Sequence, residues 1–379
     1  MTTRARSNGL QLIWALMLSV LGTGCYMDHR DEDTGSTTNW LTSCEKSSDC
    51  AGGFTCQAGV CAEPAAASAP DDGDVSSSSL VANEGVDTGF TQISVGGRHA
   101  CGLTGDGSPE CWGSDYYSAV TGASAAGSGF TQLSSGGYHS CGLHADGSVK
   151  CWGAAGFDDG QVSGPNADAS TNFLQLASGN SHTCALRNDG TVSCWGASDF
   201  GPVSASSADA GKFVQLAGAY GHACGLRDDG SLLCWGWDEY QQVSGPNADG
   251  GKDFVEVATG SQHSCARRTD GSMTCWGSDE WDGEVSGPNA DGSHDFTQVM
   301  AAAYQTCGLH ADGSVTCWGD DTDGQVSGPN ADGSTDFIQL SGSIEVDGNH
   351  LCGLHRDGSV SCWGDDTSRQ VSGLEDLSL

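Results

Sequence analysis

Basic residues are scarce in this chain. Lys and Arg number 14 in 379 residues, against 49 Asp and Glu, for a formal net charge of −35. A surface this acidic repels phosphate backbones and anionic headgroups, so nucleic acid is excluded as a partner. Long apolar runs are nearly absent as well. The one candidate, LQLIWALMLSVL at 10–21, is too short to span a bilayer. Any membrane attachment therefore has to come through a lipid anchor. No nucleophile motif, phosphate loop, D-x-D-x-D-G run or isolated carboxylate pair stands out, so no cofactor, metal or catalytic residue is expected and the chain reads as a non-enzyme.

Cysteine (19) and glycine (58) are abundant instead. So many thiols point to an oxidising compartment. The N-terminus agrees. Arg4 and Arg6 precede the apolar run, and GTGC follows, ending at Cys25. Small residues running into a cysteine resemble a bacterial lipoprotein cleavage site, which makes 1–25 an export signal and Cys25 the lipidated residue. The expectation is an extracytoplasmic protein, either an outer-membrane lipoprotein or a secreted one. Residues 26–43 read as a tether. Residues 44–61 hold four Cys with no room for a core, and read as a knot of two disulfides or, alternatively, a tetrahedral zinc site. Residues 62–89, rich in Ala, Pro, Ser, Asp and Gly, read as a disordered linker.

From Phe90 to the end the chain repeats seven times with a period near 40 residues. Each copy opens with F-x-[Q/E]-[I/L/V], turns at Asp-Gly and closes with Cys-Trp-Gly. The paired cysteines are Cys101/Cys111, Cys141/Cys151, Cys184/Cys194, Cys224/Cys234, Cys265/Cys275, Cys307/Cys317 and Cys352/Cys362. No helical pattern is visible within a copy, and the GPNAD segments read as polar turns.

Hairpin geometry accounts for the pairing. In HACGLTGDGSPECWG, the loop is Gly105-Asp106-Gly107 with Gly107 left-handed, and Thr104 pairs with Ser108. Counting back three steps sets Cys101 opposite Cys111 at a non-hydrogen-bonded pair, where side chains are closest. A disulfide can bridge that distance. His99 shares the cysteine face, so a metal or redox site is conceivable. The sixth copy, however, has Gln305 in place of the His and keeps both cysteines, which favours a structural disulfide in every copy. The His residues are then buried hydrogen-bonding groups. The other face carries Trp112 and Gly102, a position that is Gly or Ala in all copies and would leave room for the indole. A small sheet buried on both faces is expected to be a propeller blade stacked between neighbours.

GGYHSCGLHADGSVKCWG, 136–153, followed by GQVSG, 160–164, resembles the repeat of the regulator of chromosome condensation family. The resemblance covers 90–379 and implies an all-β, seven-bladed β-propeller, here with one disulfide per blade. The family includes eukaryotic exchange factors for a small GTPase and a secreted bacterial β-lactamase inhibitor. The acidic, exported character argues against nucleotide-exchange activity here, and the inhibitor is the nearer scaffold.

Copies diverge most in the loop after Trp-Gly. Tyr116, Tyr117, Phe157, Phe200, Trp237, Tyr240 and Trp281 lie there among acids that include Asp115, Asp158, Asp238 and Asp279. Aromatic side chains with acidic neighbours suit a protein partner. The expected function is a monomeric, surface-anchored propeller that binds a protein through this loop face. A glycan-binding adhesion propeller and a secreted enzyme inhibitor are the alternatives, and simple packing of the aromatics between blades is the non-functional reading.

Overall fold

A computed structural model describes residues 55–57, 60–62, 89–197, 211–280, 283–345 and 348–377. The export signal, the lipidation position Cys25, the tether and the linker lie outside these residues. Of the 44–61 cluster only two short strands, Thr55–Gln57 and Val60–Ala62, are described, paired antiparallel. They belong to a unit separate from the propeller.

The repeats form seven three-stranded antiparallel sheets in chain order, the blades of a propeller. First strands are Phe90–Val95, Phe130–Ser135, Phe173–Ser178, Phe213–Gly218, Phe254–Thr259, Phe296–Ala301 and Phe337–Gly342. Second strands are His99–Thr104, His139–His144, His182–Arg187, His222–Arg227, His263–Arg268, Gln305–His310 and His350–His355. Third strands are Pro109–Gly113, Val149–Gly153, Val192–Gly196, Leu232–Gly236, Met273–Gly277, Val315–Gly319 and Val360–Gly364.

The hairpin is the one its sequence implies. Thr104 N donates to Ser108 O at 3.0 Å, Gly107 has φ +79°, and Cys101 faces Cys111. All seven disulfides form: Cys101–Cys111, Cys141–Cys151, Cys184–Cys194, Cys224–Cys234, Cys265–Cys275, Cys307–Cys317 and Cys352–Cys362, with Cα separations of 4.0–4.1 Å. No thiolate remains at these positions for a metal or for redox exchange. Each tip is an Asx turn. Asp106 Oδ1 accepts from Ser108 N at 3.0 Å and from the Thr104 hydroxyl at 2.6 Å.

Three sequence expectations need correction. Gly102 does not make room for the indole. A Cβ there would lie 2.6 Å from the ring of Phe90, the aromatic that opens the same blade, and Gly142, Gly225, Gly308 and Gly353 face Phe130, Phe213, Phe296 and Phe337 in the same way. The Trp stands beside that Phe, with centroids 5.6–6.1 Å apart in every blade. Second, the segments read as polar turns are short helices. They are Ser163–Ala167, Ser244–Asp249, Ser286–Asp291 and Ser327–Asp332; blade 1 has a helix at the equivalent place, Thr121–Ala126, and blade 7 a 3-10 turn, Ser372–Asp376. At one and a half turns they are too short to show a periodicity. Their stability is tertiary: Pro165, Pro246, Pro288 and Pro329 are buried, and the preceding Gly lies against the Trp of the next blade, as Gly287 does against Trp318.

Side-chain amides complete both edges of the sheets. Asn166 Oδ1 accepts from Cys151 N at 2.8 Å, and its Nδ2 donates to Cys151 O at 2.9 Å. Asn247, Asn289 and Asn330 do the same for Cys234, Cys275 and Cys317. The outer strand's main chain is thereby paired without a fourth strand. At the inner edge, Gln92 accepts from Leu133 N at 2.8 Å and donates to Leu133 O at 3.1 Å, in the next blade. Gln132, Gln175 and Gln298 repeat this onto Leu176, Leu216 and Leu340.

The third correction concerns the expectation of equivalent, doubly buried blades, from which Cys194 and Cys362 depart. Cys194 is half-buried, as is the whole of its strand Val192–Gly196, whereas the other thirteen blade cysteines are buried. The chain after it reads GPVSASSADAG and lacks the Pro-Asn pair of GPNAD, so the Asn that clamps Cys151 has no counterpart there. Cys111 is likewise without the clamp, because TGASAA follows it, and so is the fully buried Cys362, where SGLED stands in place of SGPNAD. Cys362 lies instead in a core cluster with Phe90 and Ile93 of blade 1, at the seam where the ring closes.

The inner-edge bond also closes the ring. Gln339 of blade 7 accepts from Ile93 N and donates to Ile93 O in blade 1, both at 2.9 Å and across 246 residues. Phe90 N donates to Gly358 O at 3.1 Å, as Phe130 N does to Gly107 O between blades 1 and 2. The C-terminal segment supplies the helix equivalent: Trp112 Nε1 donates to Gln370 O at 3.0 Å, and Val371 and Leu374 pack with Trp112.

His99, His139, His182, His222, His263 and His350 are fully buried. Four of them are hydrogen-bonded to a hydroxyl of the next blade: His99 to Ser140, His139 to Thr183, His222 to Ser264 and His263 to Thr306, at 2.8–3.0 Å. The next blade offers Ala223 to His182 and Ala100 to His350, and the Nε2 of each lacks a hydrogen-bond partner among the described residues. Gln305 holds Asn349 instead. Burial lowers the imidazoles from 6.5 to about 4 at His99, His182, His263 and His350, and to about 3 at His139 and His222.

Three outcomes are expected. Intact mass should rise on reduction by two hydrogens for each blade bridge, and the paired C101S/C111S variant should lose about 2–3 kcal/mol, measured by denaturant unfolding. Gln339→Leu strands a main-chain N–H and C=O at the closing seam and should cost about 2 kcal/mol, with accelerated exchange of the Ile93 amide. The folded histidine values lie below the unfolded value. Their stabilisation is therefore complete above pH 6.5 and is lost as pH falls from there toward 4. Melting temperature should decline through that window, and His99→Gln, which copies blade 6, should shallow the slope.

Candidate functional site

The ring has two unlike faces. The Trp-Gly ends of the third strands lie beside the turns that join first and second strands, since Ser114 N donates to Arg98 O and Ala154 N to Tyr138 O. The seven Asp-Gly tips lie on the opposite face, each beside the start of the next blade's first strand.

On the Trp-Gly face the expected residues meet in part. Tyr117 sits at the seam of blades 1 and 2, its ring 4.6 Å from Tyr116, 4.7 Å from Tyr138 and 5.1 Å from Phe157. Tyr116 is 44% exposed, whereas Tyr117 and Phe157 are half-buried by this stack. Trp237 and Tyr240 form a separate edge-to-face pair in blade 4, with centroids 5.6 Å apart. Phe200 and Trp281 lie outside the described residues.

Several of the neighbouring acids have structural work. Asp115 Oδ1 accepts from Val120 N, Thr121 N and the Thr121 hydroxyl, which anchors the start of the short helix. Asp158, Asp238 and Asp279 do the same for the helices that follow them. Burial pushes these three carboxyls up, but the amide donors outweigh it and hold each below its ordinary value. Asp320 and Asp365 accept from the buried amides of Gln325 and Gln370 at 2.9 and 2.7 Å. Hydrogen bonds of the fold thus fix the geometry of these residues.

The described residues 343–345 of the insertion reach three other blades. The Ser343 hydroxyl donates to Gly97 O in blade 1, the Ser261 hydroxyl of blade 5 donates to Ile344 O, and Tyr138 of blade 2 donates to Glu345 Oε2 at 3.4 Å. Glu345 is buried against the Gly97 and Gly137 turns. The largest break in the repeat is thus a wedge that ties three blades together. Among the described residues, no group of three or more His, Cys, Asp or Glu is arranged to hold a metal ion.

Two features were missed at the sequence level. Blade 5 has Glu256 and Arg267 where the other six have Gln and Leu. They form an ion pair at 2.9 Å, and Glu256 also accepts from Val299 N at 3.2 Å. Burial pushes the Glu256 carboxyl up, against the pull of Arg267. Overlaying the seven copies would have exposed this pair as an outlier. The second feature is apolar. Leu174, Val214, Val255 and Ile338 are exposed around the mouth of the axis on the Asp-Gly face.

The tip carboxylates Asp106, Asp146, Asp189, Asp270, Asp312 and Asp357 are held below their ordinary values by the hydroxyls of the neighbouring Ser and Thr residues, and Asp229 is held lower still by Lys252. No described helix is long and apolar enough to cross a membrane, and the seven closed disulfides fit an oxidising, extracytoplasmic setting.

Comparison with known proteins follows the same lines. Residues 130–161, 173–201, 213–242, 254–280 and 303–325 match the regulator of chromosome condensation (RCC1) repeat. No curated protein sequence is a match. Among solved structures, the ectodomain of the receptor kinase CR4 from Physcomitrella patens is 25% identical, with 73% of each chain covered and a TM-score of 0.56. The CRINKLY WD40 ectodomain of the Arabidopsis thaliana receptor kinase ACR4 is 23% identical, covering 74% of this chain and 98% of that one, with a TM-score of 0.57. Yeast RCC1 (Prp20), solved with Kap60 bound, is 16% identical over 76% and 83%, with a TM-score of 0.53. Five stretches of the chain thus match the RCC1 repeat, and its seven sheets in sequence make an RCC1-like propeller.

Proposed function

We infer that the protein is a non-enzymatic binding propeller, anchored outside the cytoplasm by its N-terminus, that takes a protein partner on its Trp-Gly face. The observation that carries this reading is the aromatic cluster of Tyr116, Tyr117, Tyr138 and Phe157, which spans a blade seam and leaves Tyr116 open to solvent. Large aromatics held rigid by their neighbours make efficient interface anchors, because little side-chain entropy is lost when they are covered. Among the described residues the four-ring cluster occurs once, which suits a single asymmetric partner better than a ring of equivalent sugar pockets.

Charge supports the same face. Every Trp-Gly loop carries acids, and Arg369 is the only cation in all seven loops. Backbone amides hold Asp158, Asp238 and Asp279 ionised, so a partner meets fixed negative charge around the aromatics. A basic protein surface complements it, and association should be salt-sensitive. Yeast RCC1 has been solved with Kap60 bound, and a second study of Prp20p concerns its binding to Gsp1p and histones. Trp237 and Tyr240 would extend the contact area, and Phe200 and Trp281 belong to the same proposal by position.

The test compares wild-type full-length protein with Tyr116→Ser and Trp237→Ser variants, immobilised and exposed to periplasmic and cell-surface extracts, with a glycan array beside them. A protein should be retained by wild type, released by raised salt and held roughly tenfold more weakly by Tyr116→Ser. A glycan-array signal without any protein partner would overturn the reading.

A further inference from the structure

The Asp-Gly face carries a second feature that the Trp-Gly reading does not use. Every first strand begins with a β-bulge: Phe90 faces Thr104 and Gln92 faces Leu103, leaving the residue between them unpaired, and the same shift occurs in all seven blades. A bulge re-aims the extra side chain, here outward. The seven side chains so presented are of two kinds. In blades 1, 2 and 6 they are Thr91, Thr131 and Thr297, whose hydroxyls donate to the carbonyls of Leu103, Leu143 and Leu309 in their own blades. In blades 3, 4, 5 and 7 they are Leu174, Val214, Val255 and Ile338, which are 61, 53, 40 and 49% exposed. With Tyr116, these four are all the exposed large hydrophobic residues among the described ones.

The four aliphatics are not scattered. Leu174 and Val214 line one cavity of about 510 Å³, Val255 and Ile338 line another of about 440 Å³, and Gln215 borders both. The first cavity also takes in Asp189 and Asp228 at the hairpin tips together with Arg187 and Lys212, and the second takes in Glu256 with Arg267. Around the arc stand the seven tip aspartates. Several cations on this face are already engaged: Arg187 with Asp168 at 3.4 Å, Lys252 with Asp229 at 2.6 Å and Arg267 with Glu256 at 2.9 Å. The four exposed aliphatics therefore stand among balanced charges, and the acidic excess of this face lies at the rim, where Asp295 and Asp336 adjoin the tips of blades 6 and 7.

We propose that this arc is a docking site for a cationic protein segment whose Leu, Ile or Val side chains enter the two cavities while its Lys or Arg residues meet the tip aspartates. A core of aliphatic contacts inside a charged rim is the usual division of labour at an interface: the core supplies affinity and the rim supplies steering and selectivity. The local charge selects a basic segment over an acidic one, and the net charge of −35 works against a second copy of the chain.

The test uses the full-length protein and three synthetic amphipathic peptides of equal length, built from Lys and Leu, Lys and Ser, or Glu and Leu. The variant L174T/V214T/V255T/I338T gives all blades the residue that blades 1, 2 and 6 already carry, so the fold should persist, as checked by its melting temperature. The Lys–Leu peptide should bind wild type saturably, bind the quadruple variant at least about tenfold more weakly, and exceed the other two peptides on wild type. Hydrogen exchange should slow at the starts of the first strands of blades 3, 4, 5 and 7, with the Trp-Gly loops unchanged. Equal binding to the variant, equal binding of the Lys–Ser or Glu–Leu peptide, absence of saturable binding, or protection confined to the Trp-Gly loops would each overturn the proposal. Concentration-dependent dimerisation abolished by the quadruple variant would assign the arc to a second copy and overturn it equally.

Discussion

The architecture depends on side-chain amides that stand in for main-chain partners. A three-stranded blade has two open edges, and neighbouring blades are not continuous sheet. Gln92 and its equivalents present one acceptor and one donor to a single residue of the next blade, as a β-ladder would, and the Asn of the short helices does the same for the outer strand. A carboxamide offers an acceptor and a donor side by side in one plane, as the edge of a strand does. The substitution in blade 5 shows the rule by its exception. Glu256 can accept from Val299 N but cannot donate, and Arg267 stands beside it to balance the charge.

Within this frame the conspicuous chemistry of each repeat is structural. The cysteines are bonded, the histidines lie buried and neutral between blades, and the Asp of each hairpin holds its own turn. Where the outer clamp is missing, at Cys111, Cys194 and Cys362, the disulfide still forms, because the hairpin alone sets the two cysteines opposite each other. A small sheet gains little from burial alone, so one covalent cross-link per blade and one polar tie per seam suit a protein exposed to an oxidising environment. The acids of the Trp-Gly loops are engaged in the same way, which fixes the direction of their charge. A fixed negative surface loses little conformational entropy on meeting a partner.

In the readings proposed above, binding falls to the positions where the repeats disagree. On the Trp-Gly face these are the aromatics at the seam of blades 1 and 2, and the wedge from 341–350 that reaches them through Tyr138. On the Asp-Gly face they are the four aliphatics turned outward by the bulge. Both sets break the seven-fold symmetry, as recognition of an asymmetric partner requires. The scaffold positions keep that symmetry because each blade must fit the next.

What the sequence alone determined is confined to short range. The hairpin register, the left-handed Gly107 and the opposition of Cys101 and Cys111 all follow from contacts within about fifteen residues, where strand alternation leaves little freedom. The seven-fold repeat and its family resemblance then led to the propeller. Relations between blades stayed illegible. Nothing in the repeat says that Phe90 rather than Trp112 covers Gly102, that a GPNAD segment too short for periodicity coils against the next Trp, or that Gln339 reaches Ile93 to close the ring. Most of these contacts join different blades, and the closing one spans 246 positions. Every copy carries the same groups, so only the packed ring decides which neighbour each one meets and which side chains are left facing water.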